Sequence, residues 1–545
     1  MDTIKKIARV VAPVGSNRRV AAIAMLQAAG MNVGSNHEYK EWIENTEVPS
    51  VSKAVDGTAK VSIVIPGYNT PQRYLDDLFS SVIGQSYTNW ELIFADGSDS
   101  EERSAAIKLA ASRDKRIRIV RLEENGGISE NTNHAIEAAT GEYVAFMDHD
   151  DTLATDALEE SVKVLIDENA DLVYSDEDLL SENGRKRVSP HFKPDWSLDL
   201  LRHVNYITHF VVVKTEIVRK LGGLRKDFDG AQDYDFLLRA ADLDIKIAHV
   251  PKILYHWRIA KGSTASDPDS KPYAWGAGRR AIEEHYSSQR IQASVEMDVK
   301  NHGNYHTSFK PSKNKELTIV FGDVIGKQES QNLYKKLQDQ LKDNFNEINK
   351  ENVEKLFASS ANGLDDSGLV LFVDTDLVAE KGDDNWAKEL IALFADPKIG
   401  VAQPVVVDRG GSIVDYLVSY NQRGEEVNVF RGVEIGNGTY TGATSWPRNC
   451  SYVSAKIFCV RASIFKSLLG GTEDRGMTIL QVSRSICSTA QVEGYRSLVS
   501  PASTVCVASY EQSSNDPYIN PNIDVSLEKA RIYEDRGRRE SHDGK

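Results

Sequence analysis

The sequence has few of the residues that hold small secreted domains together or bind structural zinc. Its 545 residues include four cysteines, and no two of them lie in a Cys-x-x-Cys spacing. Four cysteines in so long a chain do not predict a disulfide scaffold or a zinc finger. No apolar run approaches the roughly 18 residues that a membrane-spanning helix needs. We therefore expect a cytoplasmic protein, with peripheral contact at the inner face of the cell membrane as an alternative.

The chain also lacks an excess of basic residues. Lysine and arginine total 65 against 80 aspartates and glutamates, which gives a formal net charge of −15. Binding to nucleic acid in general requires a basic surface that displaces counterions, so we expect no nucleic-acid partner. An acidic protein can still bind a diphosphate when a divalent cation lies between its carboxylates and the phosphates.

Length and composition predict several domains. The chain is 41% hydrophobic, which suffices for burial, and is too long for one core. We divide it into an N-terminal helical appendage and linker (1–58), a first globular domain (59–312), a second (313–512) and a tail helix (513–545). The appendage carries basic residues among apolar ones at helical spacing. Such a stretch can lie on an anionic membrane surface or pack on the protein body.

Short apolar runs alternate with helical stretches in the first globular domain. These runs are VSIVI (61–65), ELIFA (91–95), IRIVRL (117–122) and EYVAFM (142–147). The alternation predicts βαβ units and a mostly parallel sheet, hence an α/β fold. Ligands of such sheets bind beyond the carboxyl ends of the strands.

The second globular domain repeats parts of the first in the same order. Residues 143–151 resemble 369–377, residues 210–223 resemble 458–471, and residues 244–256 resemble 494–506. This order predicts a duplicated domain.

An acidic cluster directly follows the fourth of these runs. Asp148, Asp150 and Asp151 come after EYVAFM, where their carboxylates can converge on a hard cation such as Mg²⁺ or Mn²⁺. The alternative is a solvated turn that caps the next helix.

Three further residues have two interpretations each. Asp96 ends the second run, where it can bind a nucleobase and ribose or form a common Asp-Gly turn. Asp233 begins an amphipathic helix, where it can act as a general base or cap the helix. His256 follows a strand-like run and can be a ligand or a structural histidine.

Together these stretches resemble glycosyltransferase family 2. The resemblance is carried by VSIVIPGYN (61–69), SVIGQSYTNWELIFADGSD (81–99), NGGISENTNHAIEAATGEYVAFMDHDD (125–151) and GAQDYDFLLR (230–239). It implies a GT-A, Rossmann-like fold that uses nucleotide-diphospho-sugars, followed here by a second, degenerate GT-A-like domain. YSDEDLL (174–180) and two later stretches further resemble a bacterial branch described as rhamnosyl- or O-antigen-type transferases with tandem domains.

The resemblance also assigns roles around the donor. It places Pro66, Tyr68 and Asp96 at the nucleobase and ribose, and Asp148 with Asp150 in the DxD motif. Many family members have a second aspartate before Asp96, where this sequence has alanine. Asp150 is then the expected direct ligand of Mn²⁺ or Mg²⁺.

Two further roles follow from the same resemblance. Asp233 corresponds to the catalytic base, and His256 to a histidine near the metal and diphosphate. For the acceptor we note Asp178, together with Trp196 and Tyr206, whose rings can stack on sugars or equally belong to the core.

The resemblance therefore predicts an inverting, metal-dependent transferase. The enzyme would extend a bacterial surface or cell-wall polysaccharide. Its acceptor would be an oligosaccharide or a polyprenyl-linked sugar. Rhamnosyl transfer and a homo-oligomer are both compatible with the sequence. The alternatives are an enzyme with two active sites and a non-catalytic carbohydrate-binding scaffold. A sugar nucleotidyltransferase would need a Gly-rich, basic loop that VSIVIPGYNT lacks.

The second domain is expected to have lost catalysis. A gap-free alignment places Ser483 opposite Asp233 and Cys506 opposite His256, although Asp374 and Asp376 preserve a DxD pattern. Serine is not a base at neutral pH without a partner. Glu473 and Asp474 are the nearby substitutes.

Overall fold

A computed structural model describes residues 39–40, 42–44, 47, 59–260, 272–299, 302–310, 314–322, 327–352, 356–357, 363–374, 385–420, 426–428, 430–432, 435, 444–470 and 477–507. Most of the predicted appendage and the whole tail helix lie outside these residues. So do Asp376, Glu473 and Asp474 of the second domain.

The strands are numbered in chain order. They are β1 (Val61–Gly67), β2 (Trp90–Asp96), β3 (Ile117–Arg121), β4 (Tyr143–Phe146), β5 (Thr152–Leu153), β6 (Leu172–Leu180), β7 (Arg187–His191), β8 (Val211–Lys214), β9 (Ile247–Arg258), β10 (Ala293–Met297), β11 (Tyr305–Phe309), β12 (Asn314–Phe321), β13 (Phe345–Asn352), β14 (Leu369–Val373), β15 (Ile399–Val407), β16 (Ile413–Asp415), β17 (Val418–Tyr420), β18 (Glu426–Asn428), β19 (Arg448–Asn449), β20 (Ile457–Arg461) and β21 (Arg496–Cys506).

The α-helices are numbered in the same way. They are α1 (Gln72–Ile83), α2 (Glu101–Ala111), α3 (Ile128–Glu137), α4 (Ala157–Asp167), α5 (Leu198–Leu201), α6 (Thr215–Lys220), α7 (Gln232–Ala241), α8 (Pro272–Ser288), α9 (Lys327–Leu341), α10 (Trp386–Ala392), α11 (Ala462–Gly470) and α12 (Ile479–Val492). Short 3-10 helices cover Lys226–Phe228 and Leu393–Ala395.

The first sheet confirms the predicted α/β class. Its strand order is β3-β2-β1-β4-β8-β6-β9-β5, and β7 pairs with β6. The first four strands of this order are mutually parallel, whereas β8 runs antiparallel to both of its neighbours. The parallel strands were predicted from their apolar runs, and the antiparallel β8 was not.

Both faces of this sheet are covered, which explains why its central strands are continuous apolar runs. Every residue of β1 is buried. Because side chains alternate along a strand, Val64 points into one core layer while Ile63 and Ile65 point into the other. The helix α1 covers the second layer with Leu75 and neighbouring apolar residues.

A second sheet has the same strand order and directions in its centre. Its order is β13-β12-β14-β20-β15-β21-β19. The strand β12 is parallel to β13 and β14, β20 is antiparallel to β14 and β15, and β21 is parallel to β15. Tyr143 of β4 pairs with Lys214, and Leu369 of β14 pairs with Arg461. This register places Asp148 and Asp374 at equivalent positions. We call the two halves, each with its sheet, the first and second lobes.

The topology brings three chain segments to one edge of the first sheet. The carboxyl ends of β1, β2 and β4 lie side by side because these strands are parallel. The antiparallel β8 begins at the same edge, so the residues that precede it join them. Among the helices of the described ranges, none has the length and apolar character needed to cross a membrane.

Candidate active site

The loop after β4 is held in place by β9. The Tyr255 hydroxyl donates to Asp151 Oδ2 at 2.6 Å and accepts from the Asp148 backbone N–H at 3.1 Å. The Arg258 N–H donates to Asp151 Oδ1 at 2.7 Å. Asp151 is fully buried, whereas the Asp148 side chain is 39% exposed. Asp151 therefore fixes the loop against β9, whereas the Asp148 carboxylate is partly open to solvent.

His209 joins these two aspartates from the other side. Asp148, Asp151 and His209 each offer one ligand atom, and the three atoms lie within 4.8 Å of one another. His209 Nε2 is 3.8 Å from Asp148 Oδ2, and its ring stacks on Tyr255 with centroids 4.6 Å apart. Burial alone would lower the pKa of His209, but the neighbouring carboxylates of Asp148 and Glu177 raise that pKa well above the ordinary value.

Glu177 orients His209 from behind. Its Oε2 lies 3.0 Å from His209 Nδ1, and its Oε1 accepts from the Thr208 hydroxyl at 2.8 Å. The buried Lys193 ammonium is 3.3 Å from the same carboxylate. Burial would raise the pKa of Glu177, but Lys193 and the adjoining histidines, His191 and His209, lower it well below its usual range. Glu177 thus stays ionised and fixes the imidazole.

Asp233 lies in the first turn of α7, close enough to His209 and Asp148 to interact with them electrostatically. Asn205 Nδ2 donates to Asp233 Oδ2 at 2.8 Å. Its partly buried position raises the pKa of Asp233, and the charge of Asp148 adds to the shift. A carboxylate with a raised pKa is a stronger base near neutrality.

Asp96 ends β2 with one oxygen available. Its Oδ1 accepts from the Ser98 N–H at 3.0 Å, while its fully buried Oδ2 accepts no hydrogen bond in the part of the chain that the structure describes. The nearest cation is Arg121, with Nε at 4.0 Å. Pro66 is buried in β1, and Tyr68, 42% exposed, reaches from the end of that strand to Asp99. An acceptor beside an exposed ring suits a planar, N–H-bearing ligand such as a nucleobase.

The predicted metal ligands Asp150 and His256 lie beside this three-residue group and do not belong to it. His256 Nδ1 is 2.7 Å from Asp178 Oδ1, and His256 pairs with Thr152 across β5 and β9. Burial raises the pKa of Asp150, and neighbouring Asp148 adds to the rise. Direct ligation by Asp150 and His256 stays a prediction.

Of the residues noted for an acceptor, Asp178 and Tyr206 are buried and Trp196 is partly buried. Asp178 is fully buried, with its oxygens engaged by Tyr39, Arg187 and His256. Tyr206 is 4% exposed, and Trp196 packs against the same core. Both aromatic rings therefore pack with core residues in this structure.

Comparison with known proteins identifies the family. A sequence model described as glycosyl transferase family 2 matches residues 62–221. An uncharacterized glycosyltransferase of Methanocaldococcus jannaschii is 30% identical over 207 residues, which are 36% of this chain and 70% of that protein. The chain belongs to glycosyltransferase family 2. Its first sheet fits an α/β nucleotide-sugar transferase fold.

Two other similarities complete the comparison for this glycosyltransferase. The O-antigen biosynthesis protein RfbC of Myxococcus xanthus is 27% identical over 551 residues, which are 90% of this chain and 43% of that protein. The crystal structure of S. aureus TarS with UDP-GlcNAc is 20% identical, with a TM-score of 0.34, over 42% of this chain and 66% of that one. The chain spans less than half the length of two curated relatives, 25% of one and 43% of the other.

The donor set of this glycosyltransferase fits a divalent cation. Asp148 and Asp151 bring two carboxylates and His209 one imidazole to a common point. Burial raises the pKa of Asp151 well above its usual value, and the neighbouring Asp150 and Asp148 raise it further. Carboxylates that repel one another in this way are stabilised by a cation between them.

The second lobe lacks the equivalent base among its described residues. The first turn of α7 contains Asp233 and Asp235, whereas the first turn of α12 contains no acidic residue. Ser483 is buried in α12, and its hydroxyl donates to the Leu480 carbonyl at 2.9 Å.

Proposed function

We propose that this protein is an inverting, metal-dependent glycosyltransferase that uses a nucleotide-diphospho-sugar and extends a bacterial surface or cell-wall polysaccharide. The observation that carries the proposal is the clustering of Asp148, Asp151 and His209, with Asp233 close enough to interact electrostatically with His209 and Asp148. The polysaccharide class is supported by the O-antigen biosynthesis relative, which aligns with most of this chain. Rhamnosyl transfer and a polyprenyl-linked acceptor belong to the proposal through the family resemblance alone.

The donor would lie across the ends of β1, β2 and β4. The free Asp96 oxygen would accept from the nucleobase or ribose, and Tyr68 would stack beside it. Asp148 and His209 would hold the divalent cation at the diphosphate, with Asp151 positioning the loop. A cation held there would supply neutralisation of the charge that develops on the leaving nucleoside diphosphate. An imidazole among the donors favours Mn²⁺ over Mg²⁺, since Mg²⁺ prefers oxygen ligands.

Asp233 would take the proton of the acceptor hydroxyl as that oxygen attacks the anomeric carbon. Asn205 fixes the orientation of the carboxylate without neutralising it. A single displacement needs one base and inverts the anomeric configuration, whereas a double displacement needs a nucleophilic carboxylate as well. Glu177 cannot supply that nucleophile because His209, Lys193 and Thr208 engage it.

The second lobe would be a degenerate copy without a transferase site. Its sheet repeats the strand order of the first, and its α12 offers no carboxylate in the first turn. We accordingly propose a catalytic domain over residues 59–312 and a non-catalytic one over 313–512.

The test is the release of nucleoside diphosphate from a panel of nucleotide-sugars by the full chain with Mn²⁺. Polyprenyl-phosphate-linked sugars serve as acceptors, and NMR of the product reports its anomeric configuration. We expect one donor to be consumed, with inversion, and no turnover in EDTA. A product of retained configuration, or full turnover in EDTA, would contradict the mechanism.

A further inference from the structure

A buried ionic cluster joins the two lobes. Arg202 Nη1 lies 3.1 Å from Asp199 and 2.7 Å from Asp396 of the second lobe. Arg496, also of the second lobe, binds the same two aspartates, with Nε 2.8 Å from Asp199. Two guanidinium groups thus balance two carboxylates. Asp199, Asp396 and Arg202 are buried and the Arg496 side chain is 23% exposed, so an unbalanced charge here is costly.

Asn449 of the second lobe ties the same segment down by neutral hydrogen bonds. Its Nδ2 donates to Asp199 Oδ2 at 2.7 Å, and its Oδ1 accepts from the Ser197 hydroxyl at 3.0 Å. Ser197 is the N-cap of α5, since its hydroxyl also accepts from the Leu200 N–H. The second lobe therefore holds both the first turn of α5 and the charged residues on it.

The same segment continues into the proposed active site. Asn205 donates to Asp233, Thr208 donates to Glu177, and His209 lies beside Asp148. Between the end of α5 at Leu201 and the start of β8 at Val211 the chain has neither helix nor strand beyond one isolated bridge at Val204.

The position of this connection depends on contacts at its ends and along it. First-lobe residues hold it along its length: Tyr234 donates to the Leu201 carbonyl, the Tyr305 N–H donates to the His203 carbonyl at 2.8 Å, and the buried Lys193 ammonium donates to the Ile207 and His209 carbonyls. The ionic cluster fixes its beginning.

We infer that Arg496, Asp396 and Asn449 of the second lobe are positioning residues for transfer in the first lobe. By holding α5 they fix the segment that places Asn205 against Asp233 and His209 beside Asp148. This inference rests on the proposed function for its catalytic consequence. It gives the second lobe a role that requires no active site of its own. Misplacing catalytic groups by about 1 Å can lower a rate about 10²-fold.

The test compares Arg496→Met with Lys456→Met in the full chain. Lys456 forms an ion pair with the fully buried Asp415 at 2.8 Å, so its loss also leaves a buried carboxylate but inside the second lobe. Three quantities are measured: kcat and KM for nucleoside diphosphate release, the affinity for Mn²⁺, and hydrogen exchange of the amides over residues 200–209.

For Arg496→Met we expect kcat to fall about 10²-fold with a smaller change in donor KM. Mn²⁺ should bind more weakly, and the amides over 200–209 should exchange faster. Lys456→Met should leave all three quantities near wild type. Arg496→Lys should restore part of kcat, because lysine keeps the charge but lacks the fork that binds two carboxylates.

Asn449→Ala keeps the inference testable if Arg496→Met does not fold, and it should change the same quantities less. The inference is overturned if folded Arg496→Met, or Asn449→Ala where Arg496→Met does not fold, keeps kcat within twofold of wild type, or if Lys456→Met loses as much kcat as Arg496→Met. Failure of the proposed function is separate: the wild type would then consume no nucleotide-sugar. Unchanged hydrogen exchange over 200–209 in the folded variants would still overturn the inference.

Discussion

Asp233 and Asp235 lie two residues apart on α7 but have different surroundings. Asp235 is buried between Arg225 and Arg239, with Arg239 Nε at 2.9 Å. Asp233 has only a neutral donor, Asn205, at 2.8 Å among its described side-chain hydrogen bonds. Replacing each by asparagine keeps its size and removes its charge, so the two variants should fail in opposite ways.

For Asp233→Asn we expect a loss of rate with little loss of stability. The amide oxygen can still accept from Asn205, and the charge removed is one that burial disfavours, as the raised pKa of Asp233 indicates. Loss of a general base typically costs 10²–10⁴-fold in rate, or about 3–5 kcal/mol of barrier. The melting temperature should stay within a few degrees, because one charge at a partly buried helix N-terminus is worth about 1–2 kcal/mol.

For Asp235→Asn we expect a loss of stability with the rate retained. The variant leaves Arg225 and Arg239 without their shared carboxylate, which costs about 3 kcal/mol at the lower end for breaking a buried pair. At about 2–4 °C per kcal/mol, the transition of this lobe should move down by about 6–12 °C.

Nucleoside diphosphate release at saturating Mn²⁺ and donor, measured well below both transitions, gives kcat. Differential scanning calorimetry of the same preparations gives the melting temperatures. If Asp233→Asn keeps its kcat, or if folded Asp235→Asn loses as much kcat as Asp233→Asn, the assignment of the base is wrong.

Three further predictions concern other parts of the molecule. His209→Gln and Glu177→Gln should each weaken Mn²⁺ binding by about 10–100-fold in a calorimetric titration, because Glu177 orients the imidazole; unchanged affinity would remove His209 from the metal site. Asp96→Asn should raise the dissociation constant of the nucleoside diphosphate at least tenfold without changing that of Mn²⁺, and an equal loss of both would count against a nucleobase contact. Burial would raise the pKa of Asp199 and of Asp396, but Arg496 and Arg202 lower both. The stability that these two carboxylates contribute is therefore present above a pH of about 4 and is lost as the pH falls below that. The melting temperature should drop between pH 5 and 3, and should drop less in Arg496→Met.

The parts of the site that lie on parallel strands could be predicted from the sequence. Asp96 and Asp148 directly follow apolar runs, and parallel strands bring such ends to one edge. Asp233 was noted at the start of a helix and assigned as the base through the family resemblance; its partner Asn205 was not predicted, because a contact between residues far apart in the sequence leaves no local pattern.

His209 and Glu177 were missed for a physical reason. They reach the site because β8 runs antiparallel to both β4 and β6, and the sequence was interpreted as a mostly parallel sheet. Because β8 runs opposite to β4 and β6, the residues that precede β8 lie at the same edge of the sheet as the residues that follow β4. A histidine two residues before VVVK can therefore be assigned to the site only once the direction of that strand is known.

Burial of single aromatic and charged residues could not be decided from the sequence either. Tyr206 suits a sugar platform and a core equally well, and its surroundings place it in the core. Asp178 lies in a run of three consecutive acidic residues that would suit a solvated surface, yet Tyr39, 139 residues away along the chain, and Arg187, nine residues away, engage its carboxylate.

The most direct test of the account is calorimetric titration of the full chain with uridine, guanosine, thymidine and cytidine diphosphates, each with Mn²⁺ and with EDTA. The proposed site couples a nucleobase acceptor at Asp96 to a cation at Asp148 and His209, so the diphosphate and Mn²⁺ should strengthen each other's binding. We expect at least one nucleotide to bind with Mn²⁺ and to lose most of its affinity in EDTA, with Asp148→Asn behaving in Mn²⁺ as the wild type does in EDTA. Binding of equal strength with and without Mn²⁺, or no binding of any of the four nucleotides, would contradict the account.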